Sequence, residues 1–343
     1  MRGRIVGIVM GMVLIAGAVT AWAQAPAAGA QPPPPASEAG IVDMGPVVVS
    51  GVQPGPGLWQ VRRGDHTLYV LGEVSPLPRD IDWSTDEVEA VIARAQTVIT
   101  APQIELRADV GRFRTLLMVP ALLRARRNPD GKQLQDVVPP ALYARWAPLK
   151  ARWIGRSDRV ERWRPVFAAG ELYASAIARM RMRQDGIIEP VVTRLAKAHR
   201  VPIVRTDLEI RVDDTKAALR EFGGAPLDDL PCFERMLARI ERDLQHMGER
   251  ANAWAVGDID ALRALQGENT YTVCMRTFTQ GALAKRLGVE DVDRRVEAQW
   301  LQAAESALAQ NQTTFAVLPM SLVLGEHGYL AKLAAKGYEV QAP

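Results

Sequence analysis

Glu73 and Ser75 sit just past an apolar run, His66-Thr67-Leu68-Tyr69-Val70-Leu71-Gly72, in a loop that turns at Pro76 and Pro78. In open α/β sheets the loop beyond a strand's carboxyl end is where ligands bind and reactions occur. Glu209 follows a second apolar run, Val201 to Thr206. With Glu73 it could form a carboxylate pair for acid–base work, or either acid could be held in an ion pair by Arg205 or Arg211. Ser75 and Ser321 could act as nucleophiles only beside a histidine that a carboxylate orients, and no Gly-x-Ser-x-Gly elbow is present. The four histidines, His66, His199, His246 and His327, form no H-x-H or H-x-x-x-H pair, and no Cys-x-x-Cys occurs. Imidazole and thiolate at such spacings are the usual ligands of a catalytic metal, so no metal ligand is assigned and no cofactor is expected. His327 is the best-placed imidazole because it follows the last long strand. Its other reading is an exposed residue at a helix start beside Gly328. The candidates are therefore Glu73, Ser75 and Glu209 for catalysis, with Ser321 and His327 for binding.

The elements that must position these residues can be read from periodicity. Gly64-Asp65 between Leu58–Arg63 and the 66–73 run reads as a hairpin turn. Ser84 with Glu87 reads as a capping box, followed by Val88, Val91, Ile92 and Ala95 at helical spacing and the β-branched run 97–100. Strand, helix and strand make a βαβ unit. Residues 105–200 carry amphipathic helices over 113–127, 140–153, 165–184 and 189–198, and a second helical block covers 228–265 and 272–287. Trp254-Ala255-Val256-Gly257-Asp258 reads as a helix broken at Gly257, with Asp258 capping the next helix. A long helix over 291–310, a strand over 313–318, a helix over 328–336 and a strand over 338–340 close the chain. The fold class is α/β: a mixed β-sheet from the N- and C-terminal thirds, with a large, mainly helical insertion between them.

Composition sets the setting. The 343 residues are 48% hydrophobic and 24% charged, as in a globular protein with a sizeable core. Met-Arg-Gly-Arg, the apolar run Ile5 to Trp22 and Ala21-Trp22-Ala23 form the n-region, h-region and small-x-small site of a signal peptide, residues 1–23. Without Arg2 and Arg4 the net charge falls from +3 to +1, which disfavours bulk attraction to nucleic acid. The Arg-rich faces at 124, 126 and 127 and at 179, 181 and 183 then read as solvated helix surface. No other stretch approaches the roughly 20 apolar residues of a membrane span. Residues 24–57, rich in Pro, Ala and Gly, read as a disordered tether, with Val47-Val48-Val49 as a short edge strand at most. The folded domain then spans 58–343. The protein is expected to be periplasmic or secreted, where its two cysteines, Cys232 and Cys274, can form one disulfide or remain two buried thiols.

Leu58-Trp59-Gln60-Val61, the Gly64 turn, Leu71-Gly72, Leu208-Glu209, Trp254-Ala255-Val256-Gly257-Asp258, Gly325-Glu326-His327-Gly328-Tyr329-Leu330 and Leu333 to Val340 recur in an order and spacing that resembles the TraB/GumN family, which is related to the Tiki-type proteases. The resemblance covers roughly 58–340. It implies a divalent metal, such as Mn, Co or Zn, held for hydrolysis by a histidine in each of two Gly-x-x-His loops and by a strand-end glutamate. This chain departs there. The first loop is Gly72-Glu73-Val74-Ser75, the second is Pro319-Met320-Ser321-Leu322, and Ala101 stands near the glutamate's place, with Glu105 four residues on. Ser75 and Ala101 thus stand where metal-binding groups would be, and the loop that carries Ser321 lacks both the glycine and the histidine. The expectation is an exported, catalytically degenerate protein that binds a peptide or an envelope protein. The alternative is a metal-dependent hydrolase or peptidase with a rearranged site, and a third is a purely structural envelope protein.

Overall fold

A computed structural model describes residues 53–343 except 109–111, 213, 225–226, 267–269, 280–283 and 286–287. The signal peptide, most of the tether and the Val47–Val49 run lie outside the described residues.

The hairpin forms as its sequence dictates. β1 (Leu58–Arg63) and β2 (His66–Glu73) pair antiparallel from Arg63↔His66 to Leu58↔Leu71, and Gly64 supplies the positive φ, 62°, that the turn requires. β9 (Thr313–Pro319) then lies parallel to β2, and β4 (Thr97–Ile99) lies parallel to β9. β7 (Ile203–Val204) extends the parallel set, and β10 (Glu339–Gln341) closes the other edge against β1. The six-stranded order is β10-β1-β2-β9-β4-β7, a mixed sheet drawn from both ends of the chain, with β7 contributed by the insertion. Leu68, Val70, Leu71, Phe315, Ala316 and Leu318 are fully buried. Such apolar runs without alternation fit parallel strands covered on both faces.

This arrangement fixes where chemistry can occur. β2, β9, β4 and β7 run the same way, so the residues after Glu73, Pro319, Ile99 and Val204 all emerge along one edge. β9 is the last of the four parallel strands to enter and lies between β2 and β4, the strand-order reversal at which α/β sheets open a crevice.

Several local expectations change. The helix after the hairpin is Asp86–Arg94 with Thr85 at its N-cap; Ser84 Oγ accepts from the Asp86 amide at 3.3 Å and the capping box does not form. The helix expected over 165–184 ends at Arg179, because Arg181 takes a φ of 57° and Met182–Arg183 pairs as a strand, β6, with Leu77–Pro78, β3. Residues 53–57, grouped with the tether by composition, are bonded to the body: Gln53 N donates to Asp82 O at 3.1 Å and Gly55 N to Ala255 O at 2.9 Å. Two further strands, β5 (Ile104–Ala108) and β8 (Leu208–Val212), pair in parallel apart from the main sheet, and their apolar side packs on Val292 and Val296 of the Val292–Gln310 helix.

The Trp-x-x-Gly-Asp corner matches its sequence reading. Gly257 ends the Leu244–Val256 helix in the left-handed conformation, φ 72°, and Asp258 Oδ1 accepts from the Ala261 amide at 2.9 Å. Cys232 and Cys274, on the Leu230–Arg242 and Thr270–Thr279 helices, lie at disulfide distance with Cα atoms 4.6 Å apart. Among the described residues no helix is long and apolar enough to cross a membrane.

Candidate functional site

The end of β2 is held by the corner. Trp254, fully buried, donates its indole Nε1–H to the Gly72 carbonyl at 2.6 Å, and its ring meets Trp83 edge-on at 5.3 Å. The corner turn therefore aims a tryptophan at the one strand-end carbonyl that precedes Glu73. Gly72 itself is crowded: a Cβ there would come 2.6 Å from Met320 Cε and 3.2 Å from Trp59. Only glycine lets the Met320 thioether lie against the strand.

Glu73 follows, retaining some solvent contact but closely packed. Burial disfavours its ionised form, and the Glu189 and Asp185 carboxylates add like-charge repulsion, so its pKa is pushed from 4.5 up to about 7. The carboxylates that bear on Glu73 are thus those of the loop and helix after β6, and Glu209 is not among them. Ser75 is exposed and its hydroxyl donates to the Gln184 carbonyl at 2.8 Å across a cis Ser75–Pro76 junction. The early end of the 165–179 helix makes both arrangements possible, because β6 brings Gln184, Asp185 and Glu189 over the β2 loop.

The other candidates lie on neighbouring elements. Ser321 is exposed on the short Met320–Leu324 helix after β9. His327 is exposed in the Gly325–Gly328 turn that leads into the Tyr329–Ala335 helix, where the Gly328 amide donates to the Gly325 carbonyl at 2.8 Å. Ala101 is buried just past β4. Glu209 sits on β8, directly opposite Glu105 of β5, and its Oε1 is 2.5 Å from Arg107 Nη2. The ion-pair partner is therefore Arg107 rather than Arg205 or Arg211. The remaining histidines are occupied elsewhere: His66 Nδ1 lies 2.8 Å from Leu308 O, His199 Nε2 3.0 Å from Glu89, and His246 Nδ1 2.8 Å from Glu249. The structure brings Glu73 and Ser75 together at one strand end, with Ser321 beyond the adjacent strand, and places Glu209 in a separate charged ladder.

The groups near the β2 end do not fit a divalent metal. Ser75 offers a neutral hydroxyl, already tied to the Gln184 carbonyl, in place of an imidazole, Ala101 has no donor atom, and Met320 fills the space beside Gly72. Among the described residues no group of three or more His, Cys, Asp and Glu is placed to hold one ion. What the arrangement can do is hold a proton on Glu73 near neutral pH, as a general acid or base must. Sequence reasoning missed Asp185, Glu189 and the pairing of Glu105 with Arg107. The last two were visible as matching charged alternation in Ile104-Glu105-Leu106-Arg107 and Leu208-Glu209-Ile210-Arg211.

Comparison with curated proteins and with solved structures returns no match. The family model described as the TraB/PrgY/gumN family matches residues 57–342. That match covers most of the chain, and the chain is a member of the TraB/PrgY/gumN family.

Proposed function

We propose that this protein is an exported member of its family that acts as a binding or accessory protein of the cell envelope, with a strand-end site no longer organised around a metal. The observation that carries this reading is the Ser75 hydroxyl bonded to the Gln184 carbonyl where a ligand imidazole would stand, beside a Gly72 surface closed by Met320. The basic n-region, apolar run and small-x-small site support export, and cysteines at disulfide distance are consistent with it. The partner is then a peptide or an envelope protein. Metal analysis of the purified chain and a peptidase assay test the reading together. Expected are substoichiometric Mn, Co and Zn and no metal-dependent turnover. One metal per chain, lost along with a peptidase activity, would refute it.

A second reading rests on Glu73. A carboxyl group with a pKa of about 7 is suited to proton transfer, which favours a hydrolase with a rearranged site as the alternative. Turnover that survives chelation and is abolished by Glu73→Gln would establish it.

A further inference from the structure

The β5–β8 ladder carries charge in an unusual arrangement. Its register sets Glu105 against Glu209 and Arg107 against Arg211, and like charges directly opposite each other destabilise a sheet. One guanidinium serves both acids: Arg107 Nη2 lies 3.4 Å from Glu105 Oε2 and 2.5 Å from Glu209 Oε1. Glu105 is only 7% exposed, so its charge is held out of water. Past the strand, Arg205 Nη1 reaches Asp207 Oδ2 at 3.5 Å, and Gln299 Nε2 donates to the Asp207 main-chain carbonyl at 3.1 Å. Glu105, Arg107, Arg205, Asp207, Glu209 and Gln299 line one cleft of roughly 420 Å³, within the range of about 300–1,000 Å³ found for small-molecule sites.

We infer that this cleft binds a small zwitterion of the α-amino-acid type, carrying an ammonium and a carboxylate. Three carboxylates against two guanidiniums give the lining one net negative charge, which favours a cationic group. A metal ion is the wrong cation, because it needs several oxygens converging on one point and Arg107 already holds Glu105 and Glu209. An ammonium, with three directed donors, can use the acceptors that Arg107 leaves. Arg205, about half exposed, has donors beyond the one turned to Asp207 and can take a carboxylate in fork geometry. Carboxylates and a guanidinium with donors to spare in one cleft match a zwitterion better than either ion alone. The loops beneath are fixed in advance: the Thr206 amide donates to Thr100 Oγ1 at 3.2 Å, Thr206 Oγ1 to Thr100 O at 3.0 Å, and the Leu208 amide to Gln103 O at 2.7 Å. Such preorganisation lowers the ordering cost of binding. The inference does not rest on whether the β2 end is catalytic.

Calorimetric titration of the full chain tests it, with L-leucine and Leu-Leu as probes and leucinamide and N-acetyl-leucine as controls lacking one charge. Saturable one-to-one binding of leucine or Leu-Leu is expected, with each control at least about tenfold weaker, the loss of one charge-assisted contact. Tighter binding of leucine assigns the site to free amino acids, and tighter binding of Leu-Leu to peptides; either supports the inference. Arg205→Gln should abolish the preference for leucine over leucinamide, Arg205→Lys should restore part of it, and Glu209→Gln should abolish the preference over N-acetyl-leucine. Circular dichroism melts identify any variant that fails to fold. No saturable heat with either probe up to about 10 mM, where even a millimolar site would show, overturns the inference. So does a folded Arg205→Gln variant that keeps full discrimination against leucinamide.

Discussion

Glu73→Gln should make the protein more stable at about pH 8 and leave it unchanged at about pH 4. In the folded chain burial, then Glu189 and Asp185, raises the Glu73 pKa from 4.5 to about 7. The sign follows from proton binding: between those values the native state holds a proton that the unfolded state has released. The neutral form's advantage is fully present below 4.5 and is lost as pH rises through about 7, after which the charged carboxylate remains a constant penalty. At 1.36 kcal/mol per pKa unit the full swing is about 3 kcal/mol, reduced somewhat because Glu73 keeps some solvent contact. Glutamine has the same shape without the charge, so it removes the penalty and with it the pH dependence. Urea unfolding of wild type and variant across this range reads the difference directly, because other titrating groups cancel. Added salt should change it little, since screening acts on the repulsion from Glu189 and Asp185 and not on the larger effect of burial. A stability difference that stays flat with pH, or a variant weaker than wild type at about pH 8, would refute the account of Glu73.

Reducing the Cys232–Cys274 pair, separated by 42 residues, should destabilise the protein by on the order of 4 kcal/mol, and an unchanged urea midpoint in reductant would count against a bridge. Arg107→Ala should cost about 1–3 kcal/mol by leaving buried Glu105 facing Glu209 without a counter-charge. Adding Glu105→Gln should recover most of that loss in a double-mutant cycle, and simple additivity would sink the idea that Arg107 serves both acids. Ser75→His alone should bring no stoichiometric zinc, because three protein ligands are the usual minimum and Met320 still covers Gly72; one zinc per chain in that variant would show the site to be intact.

What was legible in the sequence is what local chemistry determines. Gly64-Asp65 admits the hairpin turn, the alternation around it marks two strands, and Gly257 followed by Asp258 can end one helix and cap the next whatever lies nearby. The apolar run at 313–318 has too few polar residues to face water, so a buried strand was the only economical reading. What stayed hidden depends on distant partners. Nothing within residues 165–184 says that the helix stops at Arg179, since the reason is a pairing with Leu77–Pro78 about a hundred positions away. The choice of Arg107 over Arg205 and Arg211 as the partner of Glu209 likewise follows from the register of β5 on β8.

The same dependence shapes the candidate site. Three strand ends are aligned by the parallel sheet, and the family pattern would place one metal ligand on each. At these ends Ser75 bonds the loop that follows β6, Ala101 fills apolar space beyond β4, and Met320 packs where Gly72 leaves room. The Ser75–Gln184 bond requires β6 over the β2 loop, and that same segment brings Glu189 and Asp185 close enough to add their repulsion to the larger effect of burial on Glu73. A carboxyl whose pKa is raised by burial costs stability at higher pH, and such a cost marks Glu73 as a candidate functional group. The Trp254 indole on the Gly72 carbonyl fixes that strand end just before Glu73. The scaffold thus positions a single titratable group at the end of β2.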